Sequence, residues 1–322
     1  MSKPVLFSCF RPLERAENLR AIYEAYTGPK QLIHSYDPDY KAEVTSGKYD
    51  LMVIDDMPAY KIKKCISIGH GIQGGKLVGL DQPGSPYYDK SVADRVTYII
   101  SAGHGTIAMS ERSFNVPHDR ILPLGMPCTD QYVGKKKGEG HTLLADKRAY
   151  LYVPTFRDKG ETPFPYIDWD YIDSQLSSGE VLAIKPHPWY YQYVSKTITD
   201  KKYRHIIGIP GDEPSAPYLY DADVVITDYS SIMFDAYLLD KPVVLFEKNP
   251  GYLQTRGMYM DYPLQYSSRF AITEEGLLNM MRSANSLTKI EKACVHTVAD
   301  MCDGHSCERI CNLINQLNGG ET

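Results

Sequence analysis

The 322-residue sequence has no two cysteines in a Cys-x-x-Cys arrangement and no apolar run longer than about six residues. Its seven cysteines therefore predict reduced thiols rather than a disulfide framework. A membrane-spanning helix needs roughly 20 apolar residues, so none is expected. The opening residues, MSKPVLFSCF, also lack the shape of a signal peptide. We therefore expect a cytoplasmic protein, with contact at a membrane surface as an open alternative.

The chain also lacks a large excess of charge of either sign, because it has 35 basic and 40 acidic residues and a net charge of -5. This balance gives no basis for non-specific nucleic-acid binding, and a phosphate-rich substrate would need a local positive pocket. Phenylalanine is scarce, with 8 residues against 26 tyrosines. Tyrosine suits nucleotide or carbohydrate contact, although compositional drift is the simpler explanation. The spacing of His296, Cys302, His305 and Cys307 fits no standard zinc pattern, so we expect no metal site.

Short aliphatic runs alternate with stretches of helical spacing along most of the chain, which is typical of parallel sheets covered by helices on both faces. The segment 131–148 is polar, basic and glycine-bearing, which is typical of a linker. We therefore predict two Rossmann-like domains, 1–140 and 141–322. The last helix of the chain is free to pack back on the N-terminal domain. The predicted strands are 5–10, 51–54, 65–68, 96–100, 149–153, 181–184, 205–207, 224–227 and 243–246, and the predicted helices are 12–26, 168–178, 230–239, 273–284 and 305–318.

The most informative segment is DADVVITDYSSIMFDAYLLDKPVVLF, residues 221–246. A buried strand runs into Thr227 and Asp228, and a helix is predicted to begin at Ser230 and Ser231. Hydroxyl groups and free main-chain N–H groups then meet at the carboxyl end of a strand, where phosphate groups bind well. Simple capping of the helix by Asp228 or a serine is the structural alternative.

Two further strand ends carry polar side chains. The segment AIKPHPWY places Lys185 and His187 beside prolines that stiffen the turn, and both side chains can donate to phosphate oxygens. The segment LYVPTFRD places Thr155 and Arg157 after another strand, and the arginine can clamp a diphosphate with its fork of donors. A structural histidine at position 187 and a surface salt bridge from Arg157 to Asp158 or a nearby acid are the alternatives.

A glycine-rich segment, SIGHGIQGGKLVG, follows a predicted strand of the first domain. Gly71 beside His70 lets a substrate approach the ring closely, and a histidine can accept a proton from an attacking hydroxyl group. The pattern is not a phosphate-binding P-loop. The similar His104 is predicted to begin a helix and is given no catalytic role.

These segments, in this order, resemble the CDP-glycerol glycerophosphotransferase family, whose members prime and extend teichoic acids and related capsule polymers. The likeness runs from about residue 64 to 318 and also includes RSFNVPHDRILPLGMPCTD, RGMYMDY and DGHSCERI. The resemblance implies an α/β GT-B fold, with the two parallel sheets facing across a cleft that holds CDP. It implies a CDP-glycerol or related CDP-polyol donor, a glycan or lipid-linked acceptor, and no tightly bound cofactor.

The resemblance also assigns roles to individual residues. His70 is implied as the catalytic base, and the diphosphate is held or neutralised by His187, Arg157, Ser230 and Ser231. Gly125, Pro127 and Asp130 are implied to border the cleft, and Arg256 and Asp261 match a loop near the nucleotide. We therefore expect His70 and the serine pair to share one cavity.

The sequence departs from the family pattern on the side of the acceptor. Gly69 stands where the family usually has tryptophan, and Ile72 and Gln73 replace the usual Thr-Pro. Cys128 and Thr129 also replace the usual Arg-Asn. A glycosyltransferase or epimerase that uses a sugar nucleotide, or an inactive nucleotide-binding homologue, remains an alternative. The sequence does not indicate the oligomeric state.

Overall fold

The computed structural model describes residues 3–82, 90–140, 142–157, 164–211, 213–248, 253 and 256–319. The strands are β1 (Val5–Cys9), β2 (Lys30–His34), β3 (Leu51–Ile54), β4 (Lys64–Ser67), β5 (Tyr98–Ser101), β6 (Ile121–Pro123), β7 (Arg148–Tyr152), β8 (Glu180–Ile184), β9 (Ile206–Gly208), β10 (Val224–Thr227), β11 (Val243–Phe246) and β12 (Phe270–Ala271). The helices are α1 (Glu17–Ala25), α2 (Tyr40–Val44), α3 (Ile107–Phe114), α4 (Thr142–Ala145), α5 (Trp169–Gln175), α6 (Tyr191–Lys201), α7 (Ala216–Asp221), α8 (Ile232–Leu238), α9 (Glu274–Ser283), α10 (Lys289–Ala299) and α11 (Ser306–Gly319). Within these ranges, no helix combines the length and the hydrophobicity needed to cross a membrane.

The chain divides into two compact units. Unit 1 consists of residues 1–133 and 297–322, and unit 2 consists of residues 134–296. The first division falls inside the polar segment that the sequence indicates as a linker. The second division falls within α10, so the C-terminal helix α11 belongs to unit 1, where it packs against α1.

Unit 1 is built on a six-stranded sheet in the order β2-β1-β3-β4-β5-β6, and every neighbouring pair is parallel. The central strands are buried along their whole length because both faces are covered, as their continuous aliphatic sequences predict. The apolar core includes Leu6, Met52, Ile54, Ile99 and Ile121. Since all strands point the same way, the loops after β1, β3, β4 and β5 meet at one edge of this sheet.

Unit 2 repeats this plan with a six-stranded parallel sheet in the order β12-β11-β10-β7-β8-β9. Its core joins aliphatic strand residues to aromatic ones such as Tyr152, Phe164 and Trp169, and the last two rings stack at 4.8 Å. The three neighbouring strands β10, β7 and β8 end side by side. The loops after them carry the residues that the sequence singles out as phosphate-binding.

A tight junction inside unit 1 holds the C-terminal segment. Gly125 has φ +86°, and a Cβ atom there would lie 2.3 Å from the carbonyl oxygen of Met301. Gly103 is equally constrained, since a Cβ atom on it would lie 2.0 Å from a carboxylate oxygen of Asp300. Glycine is therefore required at both positions for the segment that precedes α11 to reach its place.

Candidate functional site

Unit 2 collects most of the predicted phosphate-binding residues at the carboxyl edge of its sheet. Thr155 and Arg157 follow β7, while Lys185 and His187 follow the neighbouring strand β8. The strand β10 pairs with β7 on the side away from β8, and it is followed by Asp228, Ser230 and Ser231. In open parallel sheets, ligands bind outside the carboxyl ends of the strands. The sheet order therefore brings these three predicted segments to one edge.

A buried ion pair joins two of these loops. Arg157 Nη2 lies 2.9 Å from Asp228 Oδ2, and the side chains are 5% and 1% exposed. The other carboxylate oxygen of Asp228 accepts the main-chain N–H groups of Thr155, at 2.8 Å, and of Tyr229, at 2.7 Å. Arg157 Nη1 donates to the carbonyl oxygen of Thr155 at 2.8 Å. The acidic partner of Arg157 is therefore the buried Asp228. Asp158, the partner considered from the sequence, lies outside the described residues.

The electrostatics of this pair are set by burial and charge together. Burial alone would lower the pKa of Arg157, but the charge and hydrogen bond of Asp228, together with the charge of Glu247, outweigh this effect and raise the pKa above its usual value. The guanidinium also lies 5.6 Å from the centre of the Tyr229 ring, which packs against Tyr262. Arg157 is thus held permanently charged beneath the loops, with Asp228 as a buried counter-ion.

An aromatic ring brings two predicted site residues together. The ring of Phe156 lies 4.9 Å from that of His187, and the guanidinium of Arg256 lies 5.6 Å from the centre of the same Phe156 ring. Two nitrogen-bearing side chains from distant parts of the sequence therefore share one neighbour. Lys185 is almost buried, and its ammonium group lies 3.5 Å from the carbonyl oxygen of Pro210.

The predicted serine pair lies at the start of α8. Ser231 makes no side-chain capping bond, and Ser230 Oγ accepts the N–H group of Ile232 at 3.4 Å. Both serines are only partly buried. The Asp228 carboxylate contacts Arg157 and the amides of Thr155 and Tyr229. Capping of α8 therefore does not explain all the polar residues of this segment.

Two threonines and one aspartate of the predicted site differ in their surroundings. The Thr227 hydroxyl is buried and donates to the carbonyl oxygen of Val153 at 2.6 Å, so it joins two strand ends. The Thr155 hydroxyl is buried and has no hydrogen-bond partner among the described residues. Asp261 is exposed, and its N–H group donates to the side chain of Gln265. Of the three, Thr155 is the one with an unused buried polar group.

In unit 1, His70 lies in the loop after β4 with an exposed side chain, and Gly71 follows it. The surrounding protein desolvates the imidazole and lowers its pKa below the usual 6.5, and the charges of Arg11 and Lys76 act in the same direction. The Asp56 carboxylate and a main-chain hydrogen-bonding contact with Asp55 oppose this shift. His70 is therefore neutral at pH 7, which is the state that a general base requires.

Two residues near His70 were missed by the sequence analysis. Asp55 follows β3 and is 1% exposed, and Arg11 follows β1. The Asp55 carboxylate accepts the N–H group of Phe10 at 3.0 Å and lies 3.5 Å from Arg11 Nε. Burial raises the pKa of Asp55, while the Phe10 amide and the Arg11 charge oppose that rise. The sequence signal that could have revealed both residues is a charged residue that follows a buried strand.

Asp130, which the resemblance places at the border of the cleft, has a structural role in unit 1. Its two carboxylate oxygens accept the N–H groups of Ser306, at 3.0 Å, and Cys307, at 2.7 Å. It therefore caps α11 from a distant loop, and the motifs GMPCTD and DGHSCERI meet each other. Gly125 serves the same junction, because the absence of a side chain there lets the segment that precedes α11 pack against it.

His104 begins a helical segment as expected, and its ring nitrogen Nδ1 lies 2.8 Å from Asp300 Oδ2. The other oxygen of Asp300 accepts the His104 N–H group, which ties the loop to the C-terminal segment. Within the described ranges, no group of three or more histidine, cysteine or acidic side chains could hold a metal ion.

Solved structures identify the fold. A variant of the wall teichoic acid polymerase TagF superposes with a TM-score of 0.79 at 19% identity, covering 98% of this chain and 88% of that one. Staphylococcus aureus MnaA with UDP superposes with a TM-score of 0.63 at 12% identity, covering 98% and 96%. The predicted GT-B class, with two Rossmann-like α/β units, is confirmed.

Curated relatives come from teichoic acid synthesis. The teichoic acid glycerol-phosphate primase of Bacillus subtilis strain 168 is 28% identical over 269 residues, which is 80% of this chain and 69% of the primase. The teichoic acid poly(ribitol-phosphate) polymerase of Bacillus spizizenii strain W23 is 25% identical over 280 residues, or 79% of this chain. The aligned part is only 44% of that polymerase, so this chain spans less than half of its length.

The sequence profile of one family, described as CDP-glycerol:poly(glycerophosphate) glycerophosphotransferase, matches residues 44–316. That range contains the described loops after β4, β7, β8 and β10. Because the match covers most of the sequence, this chain belongs to the CDP-glycerol:poly(glycerophosphate) glycerophosphotransferase family.

Proposed function

We propose that this protein transfers glycerol phosphate, or a related polyol phosphate, from a CDP-linked donor to a hydroxyl group of an acceptor glycan or polymer and releases CMP. Membership of the family supports the donor and the reaction type. The observation that carries the proposal is the meeting of three polar strand ends, after β8, β7 and β10, at one edge of the unit 2 sheet. A diphosphate needs such a concentration of donors.

The proposed donor site uses polar groups at the strand ends of unit 2 and Arg256. The hydroxyls of Ser230 and Ser231, together with His187, Lys185 and Arg256, would contact the diphosphate or the nucleotide. The Thr155 hydroxyl is buried without a partner among the described residues, and a substrate oxygen would supply one. Arg157, with Asp228, would act from beneath by holding two of these loops in place.

The proposed chemistry is a single displacement at phosphorus. An acceptor hydroxyl passes its proton to neutral His70 while its oxygen forms a bond to the distal phosphorus of the donor. The bond from that phosphorus to the bridging oxygen breaks, and CMP leaves with the electron pair. Positioning and stabilisation of charge supply most of the rate in such transfers.

CMP release tests the proposal directly. The protein is incubated with oligo(glycerol phosphate) and with CDP-glycerol, CDP-ribitol or UDP-N-acetylglucosamine, and the nucleotide products are quantified. We expect CMP from a CDP-polyol and no reaction of the UDP-sugar. Replacement of His70→Gln should lower kcat by about 10²- to 10⁴-fold while CDP-glycerol affinity is retained.

The matched control is His104→Gln, since His104 also lies between two glycines after a strand of unit 1. This variant should keep near-normal turnover. Epimerisation of UDP-N-acetylglucosamine without CMP release would favour an epimerase, a class that shares this fold. Binding of CDP-glycerol without turnover, with every acceptor tried, would identify an inactive homologue.

The proposal places the reaction in the cytoplasm, at the inner face of the membrane where the acceptor is lipid-linked. Two basic runs, 61–64 and 135–137, are the candidates for membrane contact. In the first, Lys63 lies 3.4 Å from Asp50, and Lys64 donates to the carbonyl oxygen of Leu317. Lys135 and Lys137 contact Glu139 and Asp223. Lipid contact would therefore have to compete with these internal contacts.

A further inference from the structure

Arg11 is anchored on one side by a buried carboxylate. Its Nε atom lies 3.5 Å from Asp55 Oδ2, and the Asp55 side chain is 1% exposed. The other carboxylate oxygen of Asp55 is fixed by the N–H group of Phe10 at 3.0 Å. Asp55 Oδ2 itself has no hydrogen-bond partner in the described part of the chain. The carboxylate therefore holds the guanidinium near it by charge.

The outer part of the Arg11 guanidinium is accessible. The Arg11 side chain is 36% exposed, and the two Nη groups donate to no residue of the described ranges. A guanidinium carries five N–H donors in a planar fork that matches the oxygens of a phosphate group. Because Asp55 restrains the Nε side, less rotamer freedom is lost when the Nη side meets an anion.

Arg11 and the proposed base belong to one cluster of loops at the same edge of the unit 1 sheet. The strands β1, β3 and β4 are consecutive neighbours in the sheet, and Arg11, Asp55 and His70 follow them in that order. The main chain of Asp55 contacts the imidazole, and the charge of Arg11 acts on it. A general base must lie within hydrogen-bond reach of the attacking hydroxyl. A cation in the same cluster of loops therefore lies on the side of the site where the acceptor binds.

We propose that Arg11 binds a phosphate group of the acceptor, so that the enzyme selects acceptors that carry phosphate close to the attacking hydroxyl. This inference rests on the proposed role of His70 and on the proposed transfer. It assigns acceptor selection to Arg11, with Asp55 as the positioning residue that holds it. Charge-assisted hydrogen bonds of a guanidinium to phosphate are among the stronger polar contacts in proteins.

Two acceptors with one polyol skeleton test the inference. Tri(glycerol phosphate) carries phosphate groups, whereas triglycerol carries none. With CDP-glycerol as donor, Arg11→Gln should raise the KM for tri(glycerol phosphate) by about tenfold or more, with little change for triglycerol. Arg11→Lys should restore part of the preference because it keeps the charge but not the planar fork. Arg15→Gln, an exposed arginine on the same segment, is the matched control and should behave as wild type.

Calorimetric binding of tri(glycerol phosphate) in the absence of donor provides a readout that does not need turnover. Wild type should bind it more tightly than Arg11→Gln does, and thermal unfolding should confirm that both are folded. An equal loss with both acceptors would overturn the inference and place Arg11 at the transferred phosphoryl group. Unchanged KM and unchanged binding would also overturn it. Absence of CMP release by wild type would instead refute the proposed function, and the binding comparison would still decide the role of Arg11.

Discussion

The ion pair between Arg157 and Asp228 provides the sharpest test of the structure of unit 2. Asp228→Asn keeps the oxygen that accepts the amides of Thr155 and Tyr229, but it removes the charge that faces Arg157 at 2.9 Å. The guanidinium would then be buried without its counter-ion. Loss of one partner from a buried pair typically costs about 3–5 kcal/mol. For a unit of this size, the melting temperature should fall by on the order of 10 °C.

The assay is thermal and urea unfolding, followed by circular dichroism and calorimetry so that the transitions of the two units are distinguished. A double variant, Asp228→Asn with Arg157→Met, removes both charges together. It should be less destabilised than the sum of the single variants, with a coupling free energy above about 2 kcal/mol. Donor binding should weaken in every variant because the loops after β7 and β10 lose the ion pair that joins them.

The matched control is the ion pair between Lys201 and Asp170, which has a similar separation of 2.7 Å but side chains that are 51% and 61% exposed. Lys201→Gln should change the free energy of unfolding by no more than about 0.5 kcal/mol. If Asp228→Asn were as mild as Lys201→Gln, or if the two charges contributed additively, the pair would not have the structural role assigned to it.

Two further predictions concern unit 1. The acid limb of the pH profile of kcat/KM should lie below pH 6.5, because desolvation by the surrounding protein lowers the pKa of His70 and activity is lost as pH falls through that pKa. Asp56→Asn should move the limb to still lower pH, since the carboxylate favours imidazolium, and a move to higher pH would contradict the assignment of the base. Asp130→Ala should destabilise unit 1 by about 1–2 kcal/mol in urea unfolding, because the amides of Ser306 and Cys307 lose their acceptors. An unchanged transition would show that this cap contributes nothing measurable.

The interior strands of both sheets could be predicted from the sequence, since burial on two faces demands continuous apolar runs. The strands 51–54, 224–227 and 243–246 were predicted with the bounds that the structure has. The missed strands β2, β6 and β12 are all at sheet edges, where pairing on one side permits short or polar sequences. In β2 only Ile33 is buried, which reflects this placement.

The strand-end residues of unit 2 could be predicted because polar side chains follow apolar runs directly. Their partners could not, since the link between Arg157 and Asp228 depends on the pairing of β7 with β10, which are far apart in sequence. The capping role of Asp130 could not be predicted for the same reason, because the amides that it caps belong to a helix far away in sequence. Arg11 and Asp55 carried the same signal as the predicted residues but were not considered.

The discontinuous course of unit 1 has a consequence for the synthesis of the protein. Helix α11 packs on α1 and is capped by Asp130, yet the ribosome translates it only after all of unit 2. Unit 2 is continuous and can complete its fold while the nascent N-terminal sheet still lacks one of its covering helices. A premature stop codon before Ser306 would therefore damage the half of the protein that was made first.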